Sequence, residues 1–180
     1  MGGYMNIIET RRKGAVRFSI TSSTSVHHQL VIFPHAGGSA NFYRAWREYL
    51  PPGVDLIVIQ YPHTELCDEW DDPISAIKYC TLSLSSLLGI SPIIMFGHSM
   101  GAIIALHVAC ALKTSRFYIE ELIISSQCPP TKLRKLLQTE NDVDDLKKHI
   151  LELDEISRMN ELDSVTKNFL EKIINRDLLL

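Results

Sequence analysis

The sequence predicts an α/β fold, a mostly parallel sheet with helices on both of its faces. Three observations carry that expectation. Short apolar runs at 30–33, 54–60 and 93–96 alternate with helical patterns, the order of a parallel sheet wrapped by helices. These runs are largely apolar rather than evenly alternating, as suits strands buried on both sides. A glycine-flanked serine in Phe96-Gly97-His98-Ser99-Met100-Gly101 joins one of the strands to an apolar helix.

The elements follow in order. A first strand is predicted over 15–20, and the polar stretch 19–25 reads as a hairpin or loop. Leu30-Val31-Ile32-Phe33 is the next strand. A helix follows with Phe42, Tyr43, Trp46 and Leu50 on one face, and Pro51-Pro52-Gly53 ends it. Residues 54–60 form a strand and 74–88 a helix. Ser91-Pro92 then punctuates the chain before the strand 93–96, the helix 102–112 and a last strand over 118–125. Right-handed crossovers bring the loops of Ala36, Tyr61, Ser99 and Ser126 to the carboxyl edge of the sheet. Beyond residue 129 there is no strand-like run. Leu133, Leu136 and Leu137, then Leu146 and Ile150, then Val165, Phe169 and Ile173 fall at helical spacing, the pattern of amphipathic helices.

Composition sets limits. The chain has 180 residues, enough for one domain with a real core. Its 18 basic and 21 acidic side chains nearly cancel and are scattered, which argues against a nucleic-acid partner. The cluster Arg11-Arg12-Lys13 reads as a solvated terminus. No segment approaches the roughly 18 apolar residues of a membrane span, and the N-terminus lacks a secretion signal, so a cytoplasmic location is expected with no membrane partner. Cys67, Cys80, Cys110 and Cys128 show no metal-type close pair; they read as reduced thiols, mostly filling the core.

The chemistry centres on Gly97-His98-Ser99-Met100-Gly101. Strand, G-x-S-x-G turn and helix together are a nucleophile elbow: the turn is so tight that a side chain at either glycine collides with its neighbours, and the serine is held strained with its hydroxyl lifted clear of the sheet. Ser99 is the predicted catalytic nucleophile. In such elbows one oxyanion-hole donor is the amide after the serine, here Met100; the other comes from the loop after the third strand, where Ala36 is the candidate. That loop is Pro34-His35-Ala36-Gly37-Gly38-Ser39. Its glycines let backbone approach a substrate, and Ser39 or Asn41 can cap the following helix. Taken alone, the loop also fits a glycine-rich strand-to-helix turn without catalytic duty.

Several motifs in order resemble the type II thioesterases, stand-alone α/β-hydrolases that accompany nonribosomal peptide and polyketide synthetases. They are Phe33-Pro34-His35-Ala36-Gly37-Gly38-Ser39 with Phe42-Tyr43 and Trp46, Leu50-Pro51 before Val54, Gln60-Tyr61-Pro62, and the elbow through Ala102. The similarity runs from about Leu30 to the end of the chain. It implies an α/β-hydrolase fold, an acyl-enzyme on serine, and acyl groups cleared from the phosphopantetheine arm of acyl or peptidyl carrier proteins, with no bound cofactor and no metal. It also implies that residues 129–176 are a helical lid, where periodicity alone allows a helical bundle packed on the sheet. One departure is local: His63-Thr64 stands where the family has glycine and arginine.

A serine needs a histidine to take its proton and a carboxylate to orient that histidine. In this fold both follow the serine, acid first. After Ser99 the sequence holds two histidines, His107 within the elbow helix and His149 in a charged segment, neither resembling the family's base. Ser125-Ser126-Gln127-Cys128, where some related domains carry the acid, has no carboxylate. His35 is expected to shape the pocket and His98 to lie beneath the turn. The expectation is therefore a single thioesterase domain over 1–180, incomplete at its C-terminus, with its last strands missing. Two other readings stay open: a catalytically silent remnant that binds acyl carriers, and a carboxylesterase of the same fold.

Overall fold

The computed structural model describes residues 7–20, 26–62 and 73–127. The chain divides into two units, Met1–Ser126 and Gln127–Leu180, and every element below belongs to the first. The predicted segment 129–176 lies outside the described residues, as do His63-Thr64, Cys67, Cys128 and His149.

Among the described residues, six strands form one sheet: β1 (Ile7–Arg12), β2 (Ala15–Ile20), β3 (His28–Phe33), β4 (Val54–Ile59), β5 (Ile93–His98) and β6 (Ile119–Ser125), in the spatial order β1-β2-β4-β3-β5-β6. β2 runs antiparallel to β1 and β4; the pairs β3–β4, β3–β5 and β5–β6 are parallel. Every predicted strand is present within about two residues. β1 was not expected. Its residues Glu9, Arg11 and Arg12 do not alternate with apolar ones because it is an edge strand with little buried surface, and charge on an edge is tolerated and protective. Lys13-Gly14 turns the chain from β1 into β2, with Gly14 at φ 77°.

The sheet is covered on both faces. On one, Val16, Phe18, Ile32, Leu56 and Val58 pack with Ala40 and Tyr43 of a short helix, α1 (Ala40–Tyr43). The alternate residues of β3 and β4, among them Val31, Phe33, Ile57 and Ile59, together with Met95 of β5, are fully buried on the other face, the side of α2 (Pro73–Ser85) and α3 (Met100–Leu112). Each such side chain contributes about 1.5–3 kcal/mol when taken from water. Of the cysteines described, Cys80 is buried in α2 and Cys110 is exposed on α3; burial pushes the Cys80 thiol far above its ordinary range.

The helix expected to carry Phe42, Tyr43, Trp46 and Leu50 on one face is only partly α-helical. After α1 the chain tightens into a 3-10 helix, Arg44–Tyr49. At three residues per turn, positions 44, 47 and 50 come into line. Arg47 is thereby drawn fully inside, while Phe42 and Trp46 keep about two-fifths of their surface exposed. Arg47 Nη2 donates to the Leu50 and Pro51 carbonyls at 3.3 and 2.9 Å and so closes the C-terminus of the turn. Among the described residues, its Nε and Nη1 have no hydrogen-bond acceptor. Burial lowers its pKa from the usual guanidinium value, with Asp55 acting in the opposite direction.

Asp55 of β4 is itself buried and bonded to Arg17 of β2, whose Nε donates to Oδ2 at 2.7 Å while Nη2 reaches the same oxygen. Asp55→Asn, which leaves the half-buried guanidinium without its anion, is expected to lower unfolding free energy by about 3 kcal/mol in urea titration. The double variant Arg17→Met/Asp55→Leu is expected to lose less than Asp55→Asn alone, since it buries no unpaired charge.

Candidate active site

The parallel register sets Phe33 of β3 beside Gly97 of β5, so the loop after β3 and the turn after β5 leave the sheet side by side. At the second of these, Ser99 has φ 54° and ψ −121°, a left-handed backbone for a non-glycine residue. Such strain persists only where the surroundings enforce it. Both flanking glycines do so. A Cβ on Gly97 would stand 2.5 Å from Ala102 Cα and 2.6 Å from Gly101 O; on Gly101 it would stand 2.1 Å from Phe33 O and 2.3 Å from Pro34 O. The collision expected from the sequence is thus with main chain, which has nowhere to go.

Hydrogen bonds complete the elbow. Ser99 N–H donates to Ser125 O at the end of β6 (2.9 Å), and Ala102 N–H donates to Ser99 O (2.9 Å), opening α3. Met100 is the first residue of that thirteen-residue helix. Its amide belongs to the helix N-terminus, where N–H groups lack intrahelical acceptors and the dipole favours negative charge.

The loop after β3 is equally constrained. Gly38 N–H donates to His35 O at 2.9 Å, and Gly37 has φ 76° while Ala36 does not enter positive φ. That is a type II turn with Ala36 and Gly37 at its centre. Ser39 then caps α1 as expected, its hydroxyl accepting from Phe42 N–H at 3.4 Å, and Gln60 Oε1 accepts from Ala40 N–H at 3.0 Å. Tyr61, buried beneath the loop, donates its hydroxyl to Pro34 O at 2.9 Å.

Of the two histidines here, His35 shares a hydrogen bond between Nδ1 and Tyr43 OH (3.1 Å) and stands edge-on to Phe42 and Tyr43. Burial raises the Tyr43 phenol above its ordinary pKa, with a hydrogen bond from the His35 backbone opposing it. His98 has a partner in β6: its Nδ1 lies 3.1 Å from Ser125 Oγ, and its ring is edge-on to His35 with centroids 5.8 Å apart. Trp46 continues the aromatic row onto Phe96, at 5.2 Å. His107 is exposed on α3. The sequence marks Tyr61 and Ser126 as loop and motif residues without assigning either a contact. Their roles, the hydroxyl under Pro34 and a second strained serine (Ser126, φ 50°) next to the carbonyl that holds Ser99, depend on contacts between strands.

Comparison with known proteins bears directly on this arrangement. The family model of the thioesterase domain matches residues 28–179. The chain belongs to that family. It is 32% identical over 116 residues to the "Probable cadicidin biosynthesis thioesterase" of Streptomyces griseus, covering 59% of this chain and 30% of that protein. To the "Probable anguibactin biosynthesis thioesterase AngT" of Vibrio anguillarum it is 32% identical over 133 residues, covering 66% and 50%. The chain therefore spans half or less of these two relatives. The structure of the type II thioesterase BorB from the borrelidin biosynthetic cluster superposes with a TM-score of 0.66 at 22% identity, covering 93% of this chain and 69% of that one. The architecture is that of the α/β-hydrolases, as the sequence predicts.

For the thioesterase elbow, Gly101→Ala is expected to lower stability by roughly 3 kcal/mol or more, because neither carbonyl of the β3 exit can withdraw. Thermal unfolding measures it. An unchanged melting temperature would show that α3 does not sit on those carbonyls.

Proposed function

We propose that this chain carries the serine and oxyanion half of a thioesterase acting on acyl groups held by the phosphopantetheine arm of synthetase carrier proteins. The observation that carries the reading is Ser99 at φ 54° on the N-terminus of α3, directly beside the turn containing Ala36. Support for the substrate class comes from the relatives named as thioesterases of cadicidin and anguibactin biosynthesis.

In this mechanism Ser99 Oγ attacks the thioester carbonyl, and its proton passes to a base. The carbonyl oxygen gains negative charge and is stabilised by the Met100 amide at the helix N-terminus and the Ala36 amide in the type II turn. The C–S bond then breaks, and the thiol leaves with the proton. Water attacks the serine ester in the second half-reaction, releasing the acid and restoring the hydroxyl. The steps need no cofactor or metal.

Turnover requires a base for Ser99, and His107, the described histidine that follows it, is exposed two turns along α3. That observation favours a second reading, acyl-carrier binding without release. Incubation with acyl-pantetheine thioester, followed by intact-mass measurement and thiol release, separates the two. The enzymatic reading expects acylation and thiol release, both falling to background in Ser99→Ala. Binding with neither outcome supports the second. A matched oxygen ester hydrolysed faster than the thioester would instead make it a carboxylesterase.

The oxyanion assignment has its own test. Ala36 holds the second position of a type II turn, where proline fits, so Ala36→Pro removes the N–H without unfolding the loop. Serine acylation is expected to slow roughly 10²–10³-fold at little change in melting temperature. An unaltered rate would remove Ala36 from the mechanism.

A further inference from the structure

Among the described residues, two non-glycine positions take positive φ, Ser99 at 54° and Ser126 at 50°. Each directly follows one member of a single contact. His98 closes β5 and Ser125 closes β6, the two stand opposite one another in the parallel ladder, and His98 Nδ1 lies 3.1 Å from Ser125 Oγ. Ser125 also accepts the Ser99 N–H at its carbonyl, at 2.9 Å. One residue of β6 therefore holds two successive residues of the elbow, His98 by its side chain and Ser99 by its main chain.

Backbone strain relaxes unless the surroundings forbid it. The close approaches at Gly97 and Gly101 are to α3 and to the exit of β3. Ser125 holds the elbow from the β6 side. His98 reaches further, because its ring stands edge-on to that of His35, with centroids 5.8 Å apart and planes at 87°. His35 directly precedes Ala36. The His98 side chain thus meets the exit of β6 through a hydrogen bond and the loop after β3 through a ring contact, while its own main chain leads into Ser99. A hydroxyl donates to or accepts from an imidazole nitrogen equally well, so the tie to Ser125 forms in either tautomer of the ring.

We propose that His98 is a positioning residue for Ser99: by holding Ser125 it fixes the carbonyl on which the Ser99 amide rests, and so keeps the serine in its left-handed conformation. The role rests on the thioesterase reading, in which Ser99 is the nucleophile, and it does not ask His98 to take the serine's proton. Two substitutions separate the hydrogen bond from the bulk of the ring. His98→Phe keeps an aromatic ring and loses Nδ1, whereas His98→Asn gives up the ring and keeps a side-chain group able to pair with the hydroxyl.

Amide hydrogen exchange followed by NMR at Ser99 reads the tie directly. His98→Phe and Ser125→Ala are each expected to speed exchange at Ser99 roughly tenfold. The double variant is expected to do no more than either alone, because both remove one interaction. His98→Asn is expected to stay near the unsubstituted rate, with exchange at Ile57, buried in β4, unchanged throughout. A fluorophosphonate, which loses fluoride as Ser99 Oγ bonds to phosphorus, gives the second readout by intact mass. Its rate is expected to fall in His98→Phe and Ser125→Ala and to recover in His98→Asn. Unchanged exchange at Ser99 in His98→Phe, additive effects in the double variant, no recovery in His98→Asn, equal acceleration at Ile57, or an unaltered rate of modification would each overturn the proposal. If the unsubstituted chain resists the reagent, the thioesterase reading fails instead, and exchange at Ser99 alone decides whether His98 holds it.

Discussion

The structure depends on a contact between two pieces of main chain, where the first turn of α3 rests on the carbonyl oxygens of Phe33 and Pro34. Only the missing Cβ of Gly101 permits it. This approach joins the exits of β3 and β5, holds Ser99 in the left-handed region, and brings the helix N-terminus against the type II turn that contains Ala36. A looser packing would let Ser99 relax to ordinary backbone angles.

Around that contact the fold distributes its polar groups with care. Tyr61 satisfies the Pro34 carbonyl from below, Gln60 ties α1 to the end of β4, and Ser125 holds the Ser99 amide through its carbonyl and His98 through its hydroxyl. Buried backbone groups left without partners cost several times what a formed hydrogen bond contributes, so these ties stiffen the edge as well as shaping it. The ion pair of Arg17 and Asp55 ties β2 to the first half of β4, away from the edge that carries Ser99.

Much of this was legible in the residues. Buried strands announce themselves as apolar runs, which is why β3, β4 and β5 are legible to within two residues. The G-x-S-x-G turn declares its own geometry because no other residue types satisfy it. β1 escaped notice because an edge strand has little apolar surface to show. The 3-10 segment escaped because the same aromatic spacing suits an α-helix, and only packing against the sheet decided for the tighter turn that buries Arg47 and leaves Trp46 half outside.

By itself, then, the sequence determined the order of strands and helices, the serine at the elbow and the glycine-rich loop facing it, since these rest on local backbone chemistry and on period. Tertiary structure alone decided which groups meet. The Tyr61 hydroxyl under Pro34 and the His98 link to Ser125 each join residues 27 positions apart. No local pattern encodes such distances, because strand register and crossover handedness set them only once the sheet has formed.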